Sequence, residues 1–412
     1  MATMCPFKAV RPVPAMAKEV AALPYDVMNS AEAKVMVEGK PYSFLHVDKA
    51  EIDLPEGTDL YDPKVYAKAK ENLDKLVSSG VCAQDKWPCY YIYRQVMTGR
   101  VQTGIVCCAA ADDYLNNVIK KHEHTRADKE QDRINHVDTC DANTGPIFLT
   151  YRDHEGINRI VKEVTATQKP VYDFASEGVI NTVWVVSDAQ RVQALSALFE
   201  EVPALYIADG HHRAASAVRV AQMRREQHPG YTGEEEFNYF LAVAFPQSEL
   251  AIMDYNRVVK DLNGLSEEAF FVALSEKFIL TPQAGKYRPK KRHEFGLYLA
   301  GKWYKMELKS GLCDEGNPLA RLDVAVLQNE VLSPILGIGD PRADKRIDFV
   351  GGIRGLEELE KRCREDMCLA FAMYPTGIED LMAIADAGEV MPPKSTWFEP
   401  KLFSGLFIHQ LS

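Results

Sequence analysis

No stretch of this chain has the unbroken apolar length of a membrane helix, so neither a membrane span nor a membrane partner is expected. Positive charge is also short: 48 Lys and Arg stand against 59 Asp and Glu, a formal net charge of −11. Proteins that grip nucleic acid or anionic lipid do so with basic patches, so nucleic acid is not expected as a partner either. The 9 cysteines include no C-x-x-C pair and are odd in number. Reduced thiols in a cytoplasmic protein are the simplest account. There is no internal repeat and no low-complexity tract. The start, Met1–Lys8, lacks a long apolar run, so no signal peptide is expected.

What is present is an ordinary globular composition, 46% hydrophobic and 26% charged over 412 residues. That length favours two domains. A composition change near residue 255 divides an N-terminal α/β domain, 1–254, from a C-terminal α+β domain, 255–412. Tyr42–Val47 reads as a strand and residues 63–79 as an amphipathic helix. Tyr90–Val96 and Val101–Ala109 read as a hairpin over Thr98-Gly99. Residues 182–227 read strand, helix, strand, helix, which is an α/β layer. Beyond 255, helices are expected over 266–278, 322–332, 354–366 and 376–387, with a hairpin over Gly301-Lys302. The tail from Glu389 carries Trp397, Phe398 and Phe403 among three prolines, which predicts a packed segment.

The chain is organised around Ala204–Met223. Residues 204–208 are one short buried strand; Ala214, Ala217, Val218 and Ala221 then recur at helical spacing. Asp209, Gly210, His211, His212 and Arg213 therefore sit where a strand hands over to a helix. Such a turn exposes unpaired N–H groups and the positive end of the helix dipole, which favour phosphate. Gly210 lets a ligand approach the backbone, Arg213 can fork onto phosphate oxygens, and Asp209 offers oxygen to a divalent cation. The plainer alternative is Asp209 as a helix cap with solvated histidines. A second polar island, Lys120–Arg133, has too little apolar content to be core. Within it Glu123 is a candidate general base, and Arg126 or Arg133 a candidate phosphate contact. His122 and His124 could take part in a zinc site, though no specific zinc spacing is matched. In the tail, Lys394, Ser395 and Thr396 could touch an anion, or the segment could simply staple domains together.

Four stretches together carry a resemblance: Pro24-Tyr-Asp-Val27, His122-Glu-His-Thr125 with Asp132-Arg133, Ala208-Asp-Gly-His-His-Arg213, and Met391-Pro-Pro-Lys-Ser-Thr396 running to Pro400-Lys401. In this order and over nearly the full length, they resemble the domain-of-unknown-function family 1015. The family name confers no activity. Asp209–Arg213 also resembles the Gly-x-His-Arg type of motif in the ParB/sulfiredoxin superfamily, which includes free-serine kinases. That likeness implies a mixed-sheet ParB/sulfiredoxin-like core with large insertions, phosphate contacts from Gly210, His212 and Arg213, and a metal or catalytic role for Asp209. Position 211 is His where sulfiredoxin has its catalytic Cys, so thiol repair is not expected. No helix-turn-helix follows, so DNA partitioning is not expected.

The resulting expectation is an α/β (α+β) small-molecule kinase that uses ATP or ADP with Mg²⁺, and has free L-serine as the leading acceptor by analogy. Glu123, Asp209 and His211 are assigned to catalysis. Gly210, His212, Arg213, Arg126 and Lys394 are assigned to nucleotide or phosphate, and Asp209 to the metal. A homo-oligomer is left open. Two alternatives stand beside it: a nucleotide-binding regulator without turnover, and a metal-dependent hydrolase using His122, His124, His211 and His212.

Overall fold

The computed structural model describes residues 1–412 and divides them into two units: residues 1–250 with 400–412, and residues 251–399. The first unit is built on a nine-stranded sheet. Its strands are β1 (Met4–Cys5), β2 (Tyr90–Met97), β3 (Arg100–Ala110), β4 (Ile119–Lys120), β5 (Ile147–Tyr151), β6 (Tyr172–Ser176), β7 (Val179–Val186), β8 (Leu205–Asp209) and β9 (Tyr239–Pro246). They lie in the order β4-β8-β5-β9-β3-β2-β7-β6, with β1 added beside β3. The sheet is mixed: β8 runs parallel to β4, and β9 parallel to β5, while the other pairs are antiparallel. The hairpin over Thr98-Gly99 forms as expected, since both turn residues take the positive φ (49° and 82°) that such a turn needs.

Two helices carry the polar stretches. Helix α1 (Ala127–Cys140) grows out of the polar island, and helix α2 (His211–Gln227) follows β8 directly. Ala214, Ala217, Val218 and Ala221 of α2 are buried with Leu205, Ile207, Ile147 and Leu149 of the sheet. Small alanines on that face let the helix lie close to the strands. On another face Val220 joins Ile134 and Val137 of α1, so the two helices pack together.

Two expectations are corrected here. Residues 42–47 do not form a strand; Leu45–Asp48 is a short helix. Phe44, Leu45 and Val47 are all buried against Leu73, Leu76 and Ile408, so tertiary packing on several sides overrides the local β preference. The end of the tail does not belong with the C-terminal domain either. Residues 400–412 are part of the first unit, because Leu402, Phe403, Leu406, Phe407 and Ile408 are buried there. His409-Gln410 also pairs with Ala142-Asn143.

The second unit carries a six-stranded antiparallel sheet of β10 (Tyr255–Val259), β11 (Phe278–Gln283), β12 (Glu294–Leu299), β13 (Lys302–Leu308), β14 (Ile347–Gly351) and β15 (Leu369–Ala372). Their order is β11-β13-β12-β15-β10-β14. Its core includes Val258, Tyr298, Trp303, Val350, Leu359 and Ala370.

Candidate functional site

The last step of β8 is irregular. Its pairing with β5 moves from Ile207 opposite Leu149 to Asp209 opposite Phe148, so two residues of β8 face one of β5. A bulge of this kind re-aims the side chain at the strand end. Gly210 then turns the chain at φ 91°, and α2 begins at His211. The left-handed φ favours glycine, and a Cβ there would stand 3.1 Å from Arg213 Nε, close enough that the guanidinium would have to give by a few tenths of an ångström.

Around this turn the first unit gathers three of the stretches that carry the family resemblance, and the lysine that ends the fourth. Asp209 Oδ1 accepts the Gly210 N–H at 2.9 Å, and Oδ2 faces Lys401 Nζ at 3.2 Å and Arg213 at 3.8 Å. Burial alone would raise the Asp209 carboxyl. Lys401, Arg213 and His211 outweigh it and hold the group well below the ordinary carboxylate range. Arg213 is buried to 10% of its side-chain surface, and stands 3.9 Å from Asp26, the residue after Pro24-Tyr25. Its one short bond runs from Nη1 to the Pro146 carbonyl at 2.6 Å, and its Nε has no hydrogen-bond partner. Burial weighs against the guanidinium's charge, but Asp26 and Asp209 keep it firmly protonated.

The histidines divide into two kinds. His122 and His211 are both buried and stack edge to face with centroids 4.5 Å apart. Burial holds His122 down at about 4, against the opposing pull of Asp209. His211 is pushed well below the ordinary imidazole value by burial and by His122. Both rings are therefore neutral near pH 7. His211 Nδ1 lies 3.6 Å from Glu123 Oε2, and its Nε2 has no hydrogen-bond partner. His212 points elsewhere. Its Nε2 accepts the Arg126 backbone N–H at 3.0 Å, and burial lowers its proton affinity. An acceptor nitrogen on a neutral ring pins the 122–126 loop to α2; it does not supply positive charge.

The remaining expected residues separate in the same way. Glu123 comes to the turn. Arg126 directs its guanidinium to Asp128 at 2.8 Å and leaves it largely in solvent. Lys394 belongs to the second unit, where its Nζ stands 5.8 Å from the Tyr255 ring. The histidine quartet does not form: His122 meets His211, His124 is exposed, and His212 is bonded to backbone. The hydrolase reading that rested on it loses its ligand set. Reading the sequence missed Asp26 and Lys401 as site residues; their presence in the motif stretches was the available signal. Arg133 is held by Asp132 at 2.8 Å and lies 4.2 Å over the Tyr25 ring, which makes it a buried support. The cavity between Tyr25, Arg133, His136 and Arg213 is only about 20 Å³. That is room for one water, so this cavity does not hold a nucleotide.

Residues 4–325 match the family model described as a protein of unknown function, DUF1015. The chain belongs to this family. None of the curated proteins matches it significantly. Among solved structures it is similar to SbnI with a C-terminal truncation from Staphylococcus aureus, at 11% identity and TM-score 0.37, covering 73% of this chain and 85% of that one. A free serine kinase variant in complex with AMP matches at 14% identity and TM-score 0.36, covering 76% of this chain and 94% of that one. A conserved hypothetical protein from Pyrococcus furiosus matches at 14% identity and TM-score 0.35, covering 76% and 97%. Similarity at this level assigns no activity. The DUF1015 protein has to be read from its own residues.

Proposed function

We propose that this protein is a phosphotransferase. It takes a phosphoryl group from ATP or ADP at the 209–213 turn and passes it to the hydroxyl of a small metabolite, with free L-serine the first acceptor to test. The observation that carries the reading is the gathering of Gly210, the start of α2, Arg213 and Lys401 around one turn, with the carboxylate of Glu123 beside it. The first N–H groups of α2, the helix dipole, a guanidinium with an unpartnered Nε and an ammonium all favour anionic oxygens. Phosphoryl transfer asks mainly for positioning and charge neutralisation, which these groups supply.

In this reading the acceptor hydroxyl attacks the terminal phosphorus and gives its proton to Glu123. The bond to the departing nucleotide oxygen breaks as the new P–O bond forms. Neutral His211, 3.6 Å from Glu123, lines that carboxylate without quenching its charge. Asp209 suits a different task from the one its type suggested. Both its oxygens already face donors, and two cations stand against Oδ2, so it does not fit as a magnesium ligand. It orients Lys401 and Arg213. The ion would enter on the nucleotide's own phosphates.

The test is phosphoryl transfer from ATP and from ADP across a panel of hydroxylated metabolites, with Glu123→Gln beside the unaltered protein. Loss of a general base costs roughly 10²–10⁴ in turnover, so Glu123→Gln should lose activity on that scale and keep its nucleotide affinity. Nucleotide binding with no transfer to any acceptor would leave a regulator. Absence of binding would end the phosphate reading of the turn.

A further inference from the structure

We infer that the second unit carries a site for a zinc-type divalent cation, built by His293, Cys313 and Glu315. The inference is independent of the phosphotransferase reading, because none of these residues belongs to the 209–213 turn. One ligand atom from each of the three lies within 4.8 Å of the other two. They come from two places in the chain. His293 immediately precedes β12, while Cys313 and Glu315 stand two residues apart in the segment after β13.

The orientation of His293 is the telling feature. Its backbone N–H donates to Asp323 at 2.8 Å, which anchors the residue. Its Nε2 lies 3.1 Å from the Arg321 carbonyl. A carbonyl oxygen only accepts, so Nε2 carries a proton, and in the neutral ring Nδ1 is then the nitrogen with the lone pair. Nδ1 faces Glu315 Oε1 at 3.5 Å. On a neutral ring this sets a lone pair against a carboxylate, an arrangement that a cation between them relieves. A backbone carbonyl behind one ring nitrogen is also how metal-binding histidines are held in the right tautomer.

The donor set selects the ion. Nitrogen, sulfur and oxygen together suit zinc or cobalt(II), whereas magnesium and calcium take oxygen alone. Zinc bonds of about 2.0–2.3 Å place tetrahedral ligand atoms roughly 3.3–3.8 Å apart. The set must therefore close by about 1 Å at its widest. Cys313 and Glu315 lie between secondary-structure elements, and Glu315 is exposed, so both can make that movement. Binding exchanges the Cys313 thiol proton for the metal: the S–H bond breaks, the S–metal bond forms, and one proton leaves to solvent. Three protein ligands leave a fourth position for water. The bound ion ties the segment after β13 to the start of β12.

The full-length chain, stripped with a chelator, is titrated with cobalt(II) and then with zinc. The expected result is one equivalent of cobalt, a thiolate-to-cobalt charge-transfer absorption, and displacement of both by zinc. Cys313→Ser should lose the charge-transfer absorption, while Cys363→Ser, which alters another half-buried thiol of the same unit, should keep it. Glu315→Gln changes only an exposed side chain, so it should stay folded and bind at least about tenfold more weakly. Absence of stoichiometric binding, binding without the thiolate absorption, or an absorption that survives Cys313→Ser would overturn the inference.

Discussion

Two carboxylates in this protein, the buried Asp380 and the half-buried Asp209, are each met by two cationic side chains, and they are met differently. Asp380, in the second unit, receives Arg292 at 2.6 Å on one oxygen and Arg321 at 2.9 Å on the other. Both oxygens hold a short, charge-assisted hydrogen bond. Asp209, in the first unit, faces Lys401 at 3.2 Å and Arg213 at 3.8 Å. Arg213 stands 3.9 Å from its other carboxylate, Asp26. Both Asp380 oxygens are spent on the two arginines, as in a structural clamp, although Arg321 Nε, like Arg213 Nε, has no hydrogen-bond partner. In the Asp209 set, Arg213 meets both carboxylates at distances too long for hydrogen bonds, beside a helix start and a buried imidazole whose Nε2 has no partner. The proposed phosphate site rests on this looser geometry.

The sharpest way to break this contrast is to remove one arginine from each set. Arg213→Ala should cut phosphoryl transfer by about a thousandfold, the scale on which an arginine at a transferring phosphate acts. It should also weaken nucleotide binding. Arg321→Ala should leave both nearly unchanged and appear only in thermal stability. Equal losses of activity in the two variants would erase the distinction.

The next largest effect concerns pH. His122 is held at about 4, below the ordinary 6.5, by burial. Its proton affinity is higher in the unfolded chain, so unfolding takes up a proton as the pH falls below 6.5. Stability is therefore full above that value and declines as pH drops towards 4. His122 alone contributes roughly 3 kcal/mol to the decline, since each tenfold difference in proton affinity between the folded and unfolded chain is worth about 1.4 kcal/mol. His211 is displaced in the same direction and steepens it. Asp209, whose proton affinity is lowered in the fold, adds a further loss only below the ordinary carboxylate value. Denaturant melts between pH 7 and pH 4 should show the slope, and His122→Gln should flatten it. An unchanged slope in that variant would mean that His122 is not held neutral.

Much of the Asp209 region was legible beforehand because its signals are local. The apolar run of β8, the break at Asp209-Gly210 and the alanine spacing of α2 need no distant partner. The hairpin of β2 and β3 was legible for the same reason. What escaped depends on packing. Tyr42–Val47 has the aromatic and β-branched content of a strand, yet Phe44, Leu45 and Val47 find neighbours on several sides and coil into a helix. Lys401 lies 192 positions from Asp209, and no periodicity connects them. His212 and Arg213 are adjacent and look alike as cations. Helical geometry turns one towards the Arg126 backbone and the other towards Asp26. Residue type suggested the chemistry of this turn; orientation decided which residues can perform it.

A smaller effect tests the other side of the contrast. Asp380→Asn leaves Arg292 and Arg321 without their carboxylate. Loss of charged hydrogen bonds of this kind costs about 2 kcal/mol. Chemical denaturation should register that loss, while nucleotide affinity at the first unit stays within error. A fall in affinity would show that the clamp supports the site as well as its own unit.

The finest test is Gly210→Ala. At φ 91° an L-residue is strained by about 1–2 kcal/mol. The new methyl group would also stand 3.1 Å from Arg213 Nε, so the guanidinium must shift by a few tenths of an ångström. Strain alone would lower the melting temperature and leave nucleotide affinity per folded molecule intact. Displacement of Arg213 would weaken binding in the folded protein as well. Measuring both quantities on one sample separates the two effects. If the Asp209 set works through the placing of Arg213, affinity has to fall with stability. A stability loss alone would show that the guanidinium tolerates movement, and its role would then be general charge, without a required geometry.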